Sequence, residues 1–278
     1  MIFDFRNTTG CLNTLYDLYG IEPELIQTFV ESRPDYIYLK EFEDFFDVSN
    51  LRECCNLVDS KIILTHITTT VDESKYLLKH GLMNLQSVLS CESPLKEFLE
   101  RHLVSFDIGS CIMRYKGNSY SINRAEYKGY VGHNNIKAYL KEIARKVYAD
   151  HQVTAFLSQE SDTSYLGYVH RRPEILMNIS NVIGYDLSIV WAKEAKSIAI
   201  EFLVSPFDLE PCSYELPNEY TEYLTEYREN IRCWLLEKAL NVLWSEYAYK
   251  HLPENIVYVQ YDKVIRSQDF LDIRLITG

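Results

Sequence analysis

The stretch KIILTHITTTVDESKYLLKHGL, from Lys61 to Leu82, sets the architecture of the chain. Apart from Lys61 and His66, its first ten residues are isoleucine, leucine or threonine, the composition of a strand. With a two-residue period, Ile62, Leu64, His66 and Thr68 share one face, and Ile63, Thr65 and Ile67 share the other. Apolar residues on both faces predict a central strand. Thr70 and Glu73 form a capping-box pattern, and Gly81 suits the left-handed position after a helix end, so a helix is predicted between them. His66 is then a histidine inside an apolar strand. Such a residue is more often a core group with a hydrogen-bond partner than a ligand.

Upstream, the first residues read as short helices, for example EPELIQTFVES from Glu22 to Ser32. Residues 1–58 are expected to be a helical N-terminal segment, and 59–278 an α+β core packed with it as one unit. Downstream, ESPLKEFLERHL is a helix with Ser93 as N-cap and Pro94 in its first turn. SCIMRYKGNSYSI, Ser110 to Ile122, is a hairpin turning at Lys116–Asn118. A helix follows with Ile136, Leu140, Ile143 and Val147 on its apolar face. VTAFLS and SIAIEFLVS are strands. Pro217 and Asn218 open a long helix whose stripe includes Tyr220, Leu224, Tyr227, Ile231, Trp234 and Val242. NIVYVQY and DIRLI close the chain as strands. Without regular βαβ alternation, the fold class is α+β.

Composition excludes several functions. A net charge of −12 argues against a broad sequence-independent grip on nucleic acid, which depends on neutralising phosphates. Seven cysteines, an odd number at irregular spacing, point to a reducing cytoplasm rather than a disulfide framework. No apolar run reaches the roughly 20 residues of a membrane span, and the start lacks the pattern of a signal peptide. With only ten glycines there is neither G-x-G-x-x-G nor G-x-x-x-x-G-K-[ST], which weakens Rossmann and P-loop readings. Adjacent Cys54 and Cys55 make a poor metal pair, C-x-x-C and H-E-x-x-H are missing, and no metal site is expected. The run EFEDFFD, Glu41 to Asp47, reads as a half-solvated surface segment. Twenty-two tyrosines suit cores, interfaces and stacking sites alike.

Three local groupings carry chemistry. Cys91 sits near a helix start, where a thiolate is stabilised, although no base is marked for it. YVHRRPEIL, Tyr168 to Leu176, packs His170, Arg171, Arg172 and Glu174 together, and an arginine pair there can hold a pyrophosphate. Around the hairpin, Arg114, Lys116, Arg124 and Lys128 interleave with Tyr115, Tyr120 and Tyr127, a pattern that lets bases stack while cations follow a backbone.

Taken in order along the chain, three segments resemble one family. THITTT…LLKHGL, Thr65 to Leu82, resembles the opening motif of ADP-ribosyltransferases of the His-Tyr-Glu and DarT-like kind, in which a strand carries H-x-T and a helix then ends in Gly-Leu. YLGYVHRRPEILMNI resembles the Arg-Pro-Met-Leu segment of DarT-like enzymes. LPENIVYVQYDKVIRSQDFLDIRLI is similar to the end of the same fold, where a glutamate opens a strand of the form E-x-I-V-Y and a further strand follows. In poly-ADP-ribose polymerases this ending reads E-Y-I-V-Y, close to the Glu-Asn-Ile-Val-Tyr of Glu254 to Tyr258. Ile67 follows the histidine where the family carries glycine.

The resemblance implies a mixed, mainly antiparallel sheet of ADP-ribosyltransferase type. It also implies an intracellular mono-ADP-ribosyltransferase that uses NAD, of the kind found among bacterial toxins and phage-defence effectors. Glu254 would stabilise the oxocarbenium-like transition state. His66 would bond the adenosine-side ribose, with Thr68 lining the pocket. Tyr165 or Tyr168 would stack on nicotinamide, and Arg171 or Arg172 would hold the pyrophosphate. The acceptor is open among protein, nucleic acid and small molecule. The rivals are a non-enzymatic protein-interaction module with a tyrosine-rich surface, and a hydrolase built on Cys91 or on carboxylates.

Overall fold

The computed structural model describes residues 1–33, 39–47, 56–161, 168–210, 225–228 and 230–276. In chain order the strands are β1 (Ile2–Phe3), β2 (Lys61–Thr70), β3 (Val104–Asp107), β4 (Ile112–Tyr115), β5 (Asn118–Ser121), β6 (Thr154–Ser158), β7 (Lys196–Val204), β8 (Leu209–Glu210), β9 (Asn255–Val259) and β10 (Phe270–Leu275). The helices are α1 (Thr8–Tyr19), α2 (Pro23–Glu31), α3 (Leu39–Phe46), α4 (Lys75–His80), α5 (Leu85–Ser90), α6 (Pro94–Arg101), α7 (Ile136–Tyr148), α8 (Ile175–Ile183), α9 (Leu187–Glu194) and α10 (Ile231–Tyr249).

The class is α+β, built on one antiparallel sheet with strand order β10-β7-β2-β6-β9-β8 and on a smaller sheet β3-β4-β5. As its two apolar faces predict, β2 is central. Residues Ile62 to Thr70 pair with β7 along their whole length. The opposite edge is shared: β1 pairs in parallel at Lys61 and Ile62, and β6 meets β2 at Thr65, opposite Phe156. Towards Thr70 this second edge pairs with no strand among the described residues. The gap so formed positions the candidate site.

Two cores flank that gap. One face of the main sheet, including Ile62, Leu64, Ala155, Phe202 and Val257, is buried with Leu15, Ile26, Phe29, Leu236 and Leu240 of α1, α2 and α10. Each of the larger side chains among these contributes roughly 1.5–3 kcal/mol on burial. The first residues therefore belong to the same core as the sheet, and the chain opens with a strand rather than a helix. The second core gathers Phe98, Met113, Ile143, Leu176 and Trp191 from α6 to α9 and the small sheet. Within the first core, α3 buries Phe42 against Phe29 with ring centroids 5.5 Å apart while Phe45 stays exposed, so the acidic-aromatic run is half-solvated as expected, in the form of an amphipathic helix.

Local chemistry matches several expectations and corrects others. The Ser93 hydroxyl accepts from the Lys96 N–H at 3.1 Å, with Pro94 starting α6. The hairpin turns at Lys116 and Gly117, both at positive φ. The expected Thr70–Glu73 box does not form. Instead Thr70 Oγ1 accepts from Ser74 N, and the Asp72 carboxylate accepts from Tyr76 N at 2.7 Å, so α4 begins four residues later than a box at Thr70 would place it. Ile136 is exposed at the start of α7, outside the buried face formed by Leu140, Ile143 and Val147. Pro217, Asn218, Tyr220 and Leu224 lie outside the described residues; α10 itself begins at Ile231.

Gly81 ends α4, but not in the left-handed helical conformation expected. Its φ is 83° and its ψ −178°, a region that essentially only glycine occupies. A Cβ there would overlap the Ile265 carbonyl oxygen, because Leu82 and Ile265 exchange backbone hydrogen bonds of 2.8 and 2.9 Å. Gly81→Ala is therefore expected to lower stability by about 1–3 kcal/mol from strain alone. A urea midpoint equal to that of the wild type would contradict this.

Candidate functional site

His66 sits on β2 where β6 begins. Its ring Nδ1 lies 2.7 Å from the Thr154 backbone oxygen. A carbonyl only accepts, so Nδ1 carries the hydrogen and donates it. Burial holds the imidazole pKa below its ordinary value, against the opposing pull of that same hydrogen bond. Burial thus favours the neutral ring, in which Nε2 is left as an acceptor. No described group bonds Nε2, and His66 lines two adjoining cavities of about 220 and 250 Å³. His66, Thr68, Leu82, Met83, Leu85 and Pro173 belong to both, making them two lobes of one cleft.

The lobes differ in chemistry. The smaller is mostly apolar, walled by Tyr76, Leu77, Val88, Leu95 and Trp191. The larger is charged, with Lys146, Asp150, Arg172 and Glu174 in its wall. Lys146 and Glu174 form an ion pair. Arg172 rests Nη2 on the Met177 sulfur at 3.5 Å, while its Nη1 is buried with no hydrogen-bond partner. Burial raises the Asp150 carboxyl pKa, opposed by Lys146 and Arg145 and reinforced by Glu174. An orphan guanidinium N–H and a free imidazole acceptor in one cleft are unmet hydrogen-bonding groups of opposite kind, and burying such groups without partners is costly.

Of the predicted site residues, the fold thus brings together His66, Thr68 and Arg172. Arg171 is turned elsewhere: its Nε donates to His170 Nε2 at 3.2 Å, and its guanidinium lies 5.4 Å from the Tyr168 ring centre. Tyr168 is 49% exposed. Tyr165 lies outside the described residues. Ile67 turns to the other face of β2 and packs with Phe156 and Ala199.

Glu254, exposed and just before β9, is not in the wall of the His66 cleft. Both of its neighbours are tied to Ser158, whose hydroxyl donates to the Pro253 oxygen at 2.8 Å and accepts from Asn255 Nδ2 at 2.7 Å. Ser158 belongs to the wall of another cavity, of about 630 Å³, with Arg6, Thr65, Glu160, Glu201 and Arg274. Phe156 is common to this cavity and to the charged lobe of the cleft. In this cavity Glu201 is paired with both Arg6 and Arg274, and Asp4 holds Arg6 from behind at 2.8 Å. Burial of Asp4 raises its pKa, but hydrogen bonds from Arg6 outweigh it and the net direction is down.

The sequence reading missed the Arg6–Glu201–Arg274 cluster and the cleft roles of Lys146, Asp150 and Glu174. One signal was present: Glu201 interrupts the apolar strand AIEFLV, and a buried carboxylate requires cationic partners. Cys91 is a partner of Tyr76, with Sγ 2.8 Å from the phenol oxygen, and its thiol also donates to the Val88 backbone oxygen at 3.7 Å. Among the described residues no group of three or more His, Cys, Asp or Glu is placed to hold a metal ion.

Comparison of the chain with known protein families, with curated proteins and with solved structures finds no match. The site must be interpreted from its own chemistry.

The neutral state of His66 has a pH signature. Below the unfolded pKa of about 6.5, the unfolded chain takes up a proton that the folded ring resists, so stability falls as pH falls through this range. The slope of unfolding free energy against pH should be shallower in His66→Asn by up to one proton. Equal slopes in variant and wild type would show that the ring is not held neutral.

Proposed function

We propose that the protein is a mono-ADP-ribosyltransferase that takes NAD into the His66 cleft. One observation carries the reading: a neutral imidazole with a fixed tautomer offers Nε2 as an acceptor in the same cleft as the unpartnered Arg172 Nη1–H. The first group suits a ribose hydroxyl and the second a pyrophosphate oxygen. The arrangement of elements supports it. The strand bearing His66 is followed by a helix ending at Gly81–Leu82, and Glu254 precedes β9 with β10 to follow. Phe156 is common to the walls of the cleft and of the cavity that holds Ser158.

The chemistry required is modest. NAD supplies the bond between nicotinamide and ribose, which loosens into an oxocarbenium-like state, and a carboxylate at the reacting carbon stabilises that cation. Glu254 takes this role in the proposal, with its backbone fixed on both sides by Ser158. Thr68 lines both lobes beside His66, and Tyr168 presents an exposed ring for stacking. The rival reading, an interaction module with a tyrosine-rich surface, leaves the open imidazole acceptor and the buried guanidinium N–H unexplained.

The test pairs binding with transfer. His66→Ala should weaken NAD affinity by about tenfold or more in calorimetry, the effect of losing one well-placed hydrogen bond (about 1.4 kcal/mol). Glu254→Gln should retain NAD binding yet lower transfer of labelled ADP-ribose roughly a hundredfold or more. Wild-type protein that binds no NAD would overturn the reading, and full activity in Glu254→Gln would remove that residue from the mechanism.

A further inference from the structure

The basic, tyrosine-bearing segment that begins in β4 is redistributed by the fold. Arg114 pairs with Asp107 at 3.1 Å, and Lys116 lies over the Tyr115 ring. Tyr127 is buried, with its hydroxyl donating to the Ser121 oxygen at 2.5 Å, and Tyr115 and Tyr120 pack against the second core. These tyrosines are not free stacking surfaces. Their burial instead fixes the 3₁₀ turn Arg124–Tyr127 against the second core, close to α7.

Between that turn and α7 is a hollow of about 420 Å³ lined by Arg124, Lys128, Lys141 and Arg145, with Ala125, Tyr127 and Gly129 completing its wall. Four cations and no carboxylate line it, in a chain of net charge −12. Like charges gathered around one small volume repel each other unless a counter-charge enters it. Of the nearby acids, Glu126 accepts from Ser121 and Asp107 pairs with Arg114, whereas Glu142 partners one of the hollow's own cations, taking Arg145 Nε at 2.9 Å. Two of the cations are positioned in advance, Lys141 by donation to the Tyr130 oxygen at 2.7 Å and Arg145 by Glu142. An ammonium has three donors, so Lys141 retains others for a ligand. Holding donors in place beforehand lowers the ordering cost of binding.

We propose that this hollow is a binding site for an oligophosphate group, meaning two or more linked phosphates. Glu142 already partners Arg145, which leaves Arg124, Lys128 and Lys141 with no carboxylate partner among the described residues. A single carboxylate does not balance three cations, whereas linked phosphates bring several charges in a small volume and match guanidinium geometry. The site is separate from the His66 cleft. On α7, Arg145 lines the hollow while its neighbour Lys146 lines the cleft. The inference is independent of the NAD reading.

The same chemistry is presented by a free oligophosphate and by the backbone of a nucleic-acid strand, and the experiment has an arm for each. Tripolyphosphate is titrated into the full chain by calorimetry at low salt, and a labelled single-stranded oligonucleotide is titrated by anisotropy. Binding should weaken steeply with salt. The Arg124→Glu/Lys128→Glu double variant, altered at two exposed positions, should lose about tenfold or more in affinity with an unchanged melting temperature. Lys128→Glu alone serves if the double variant does not fold. Oligonucleotide binding that tripolyphosphate displaces assigns the strand backbone, and binding of tripolyphosphate alone assigns a free oligophosphate. Absence of both at low salt, affinity indifferent to charge reversal, or binding lost in His66→Ala would overturn the proposal.

Discussion

The hydrogen bond from His66 Nδ1 to the Thr154 carbonyl is the interaction on which the candidate site depends. It joins β2 to the first residue of β6 just beyond the point where their backbones pair. A side chain thus takes over where the ladder stops, satisfying a carbonyl that would otherwise need another donor. The same bond determines which ring nitrogen carries the hydrogen. Together with burial, which disfavours the charged ring, it presents a neutral acceptor to the cleft.

The cleft exists because the two cores meet at the unpaired edge of β2. One core is the sheet face with its N-terminal and C-terminal helices; the other is the bundle α5 to α9 with the small sheet. Gly81 and Leu82 close the join, where the chain after α4 bonds to Ile265 through backbone that admits no side chain. A second tie lies beside it. The Asp262 carboxylate takes both Asn84 Nδ2 at 2.7 Å and His151 Nδ1 at 2.8 Å, with Tyr261 stacked on the His151 ring. Gly81, Leu82 and Asn84 in the cleft wall are therefore held by backbone and partly buried polar bonds from distant parts of the chain, which suits a site that must be ready before its ligand arrives.

Much of this was legible in the sequence where a rule is local. The two-residue period of β2 revealed a central strand, Ser93–Pro94 marked a helix start, and Lys116–Gly117 marked a hairpin turn. His66, Thr68 and Arg172 were singled out and do share a cleft. What failed was whatever depends on residues far apart. His66 and Glu254 both lie in local motifs, but their separation is not legible there: β6 lies between their strands, and Glu254 adjoins the wall of a neighbouring cavity. Arg6, Glu201 and Arg274 come from the chain start, β7 and β10, and no spacing rule unites them. The Thr70–Glu73 pattern lost to Asp72, which is two residues closer to the helix than Thr70 and whose carboxylate accepts from Tyr76 N in the first turn of α4.

The central claim is that His66 is a neutral acceptor held open for a ligand. Long-range proton–nitrogen NMR on protein labelled with ¹⁵N-histidine tests it most directly, since protonated and bare ring nitrogens differ in shift and coupling. The account predicts a protonated Nδ1 and a bare Nε2 at neutral pH, with the Nε2 resonance moving when NAD is added. A protonated Nε2, a doubly protonated ring at neutral pH, or an Nε2 resonance unmoved by saturating NAD would contradict it.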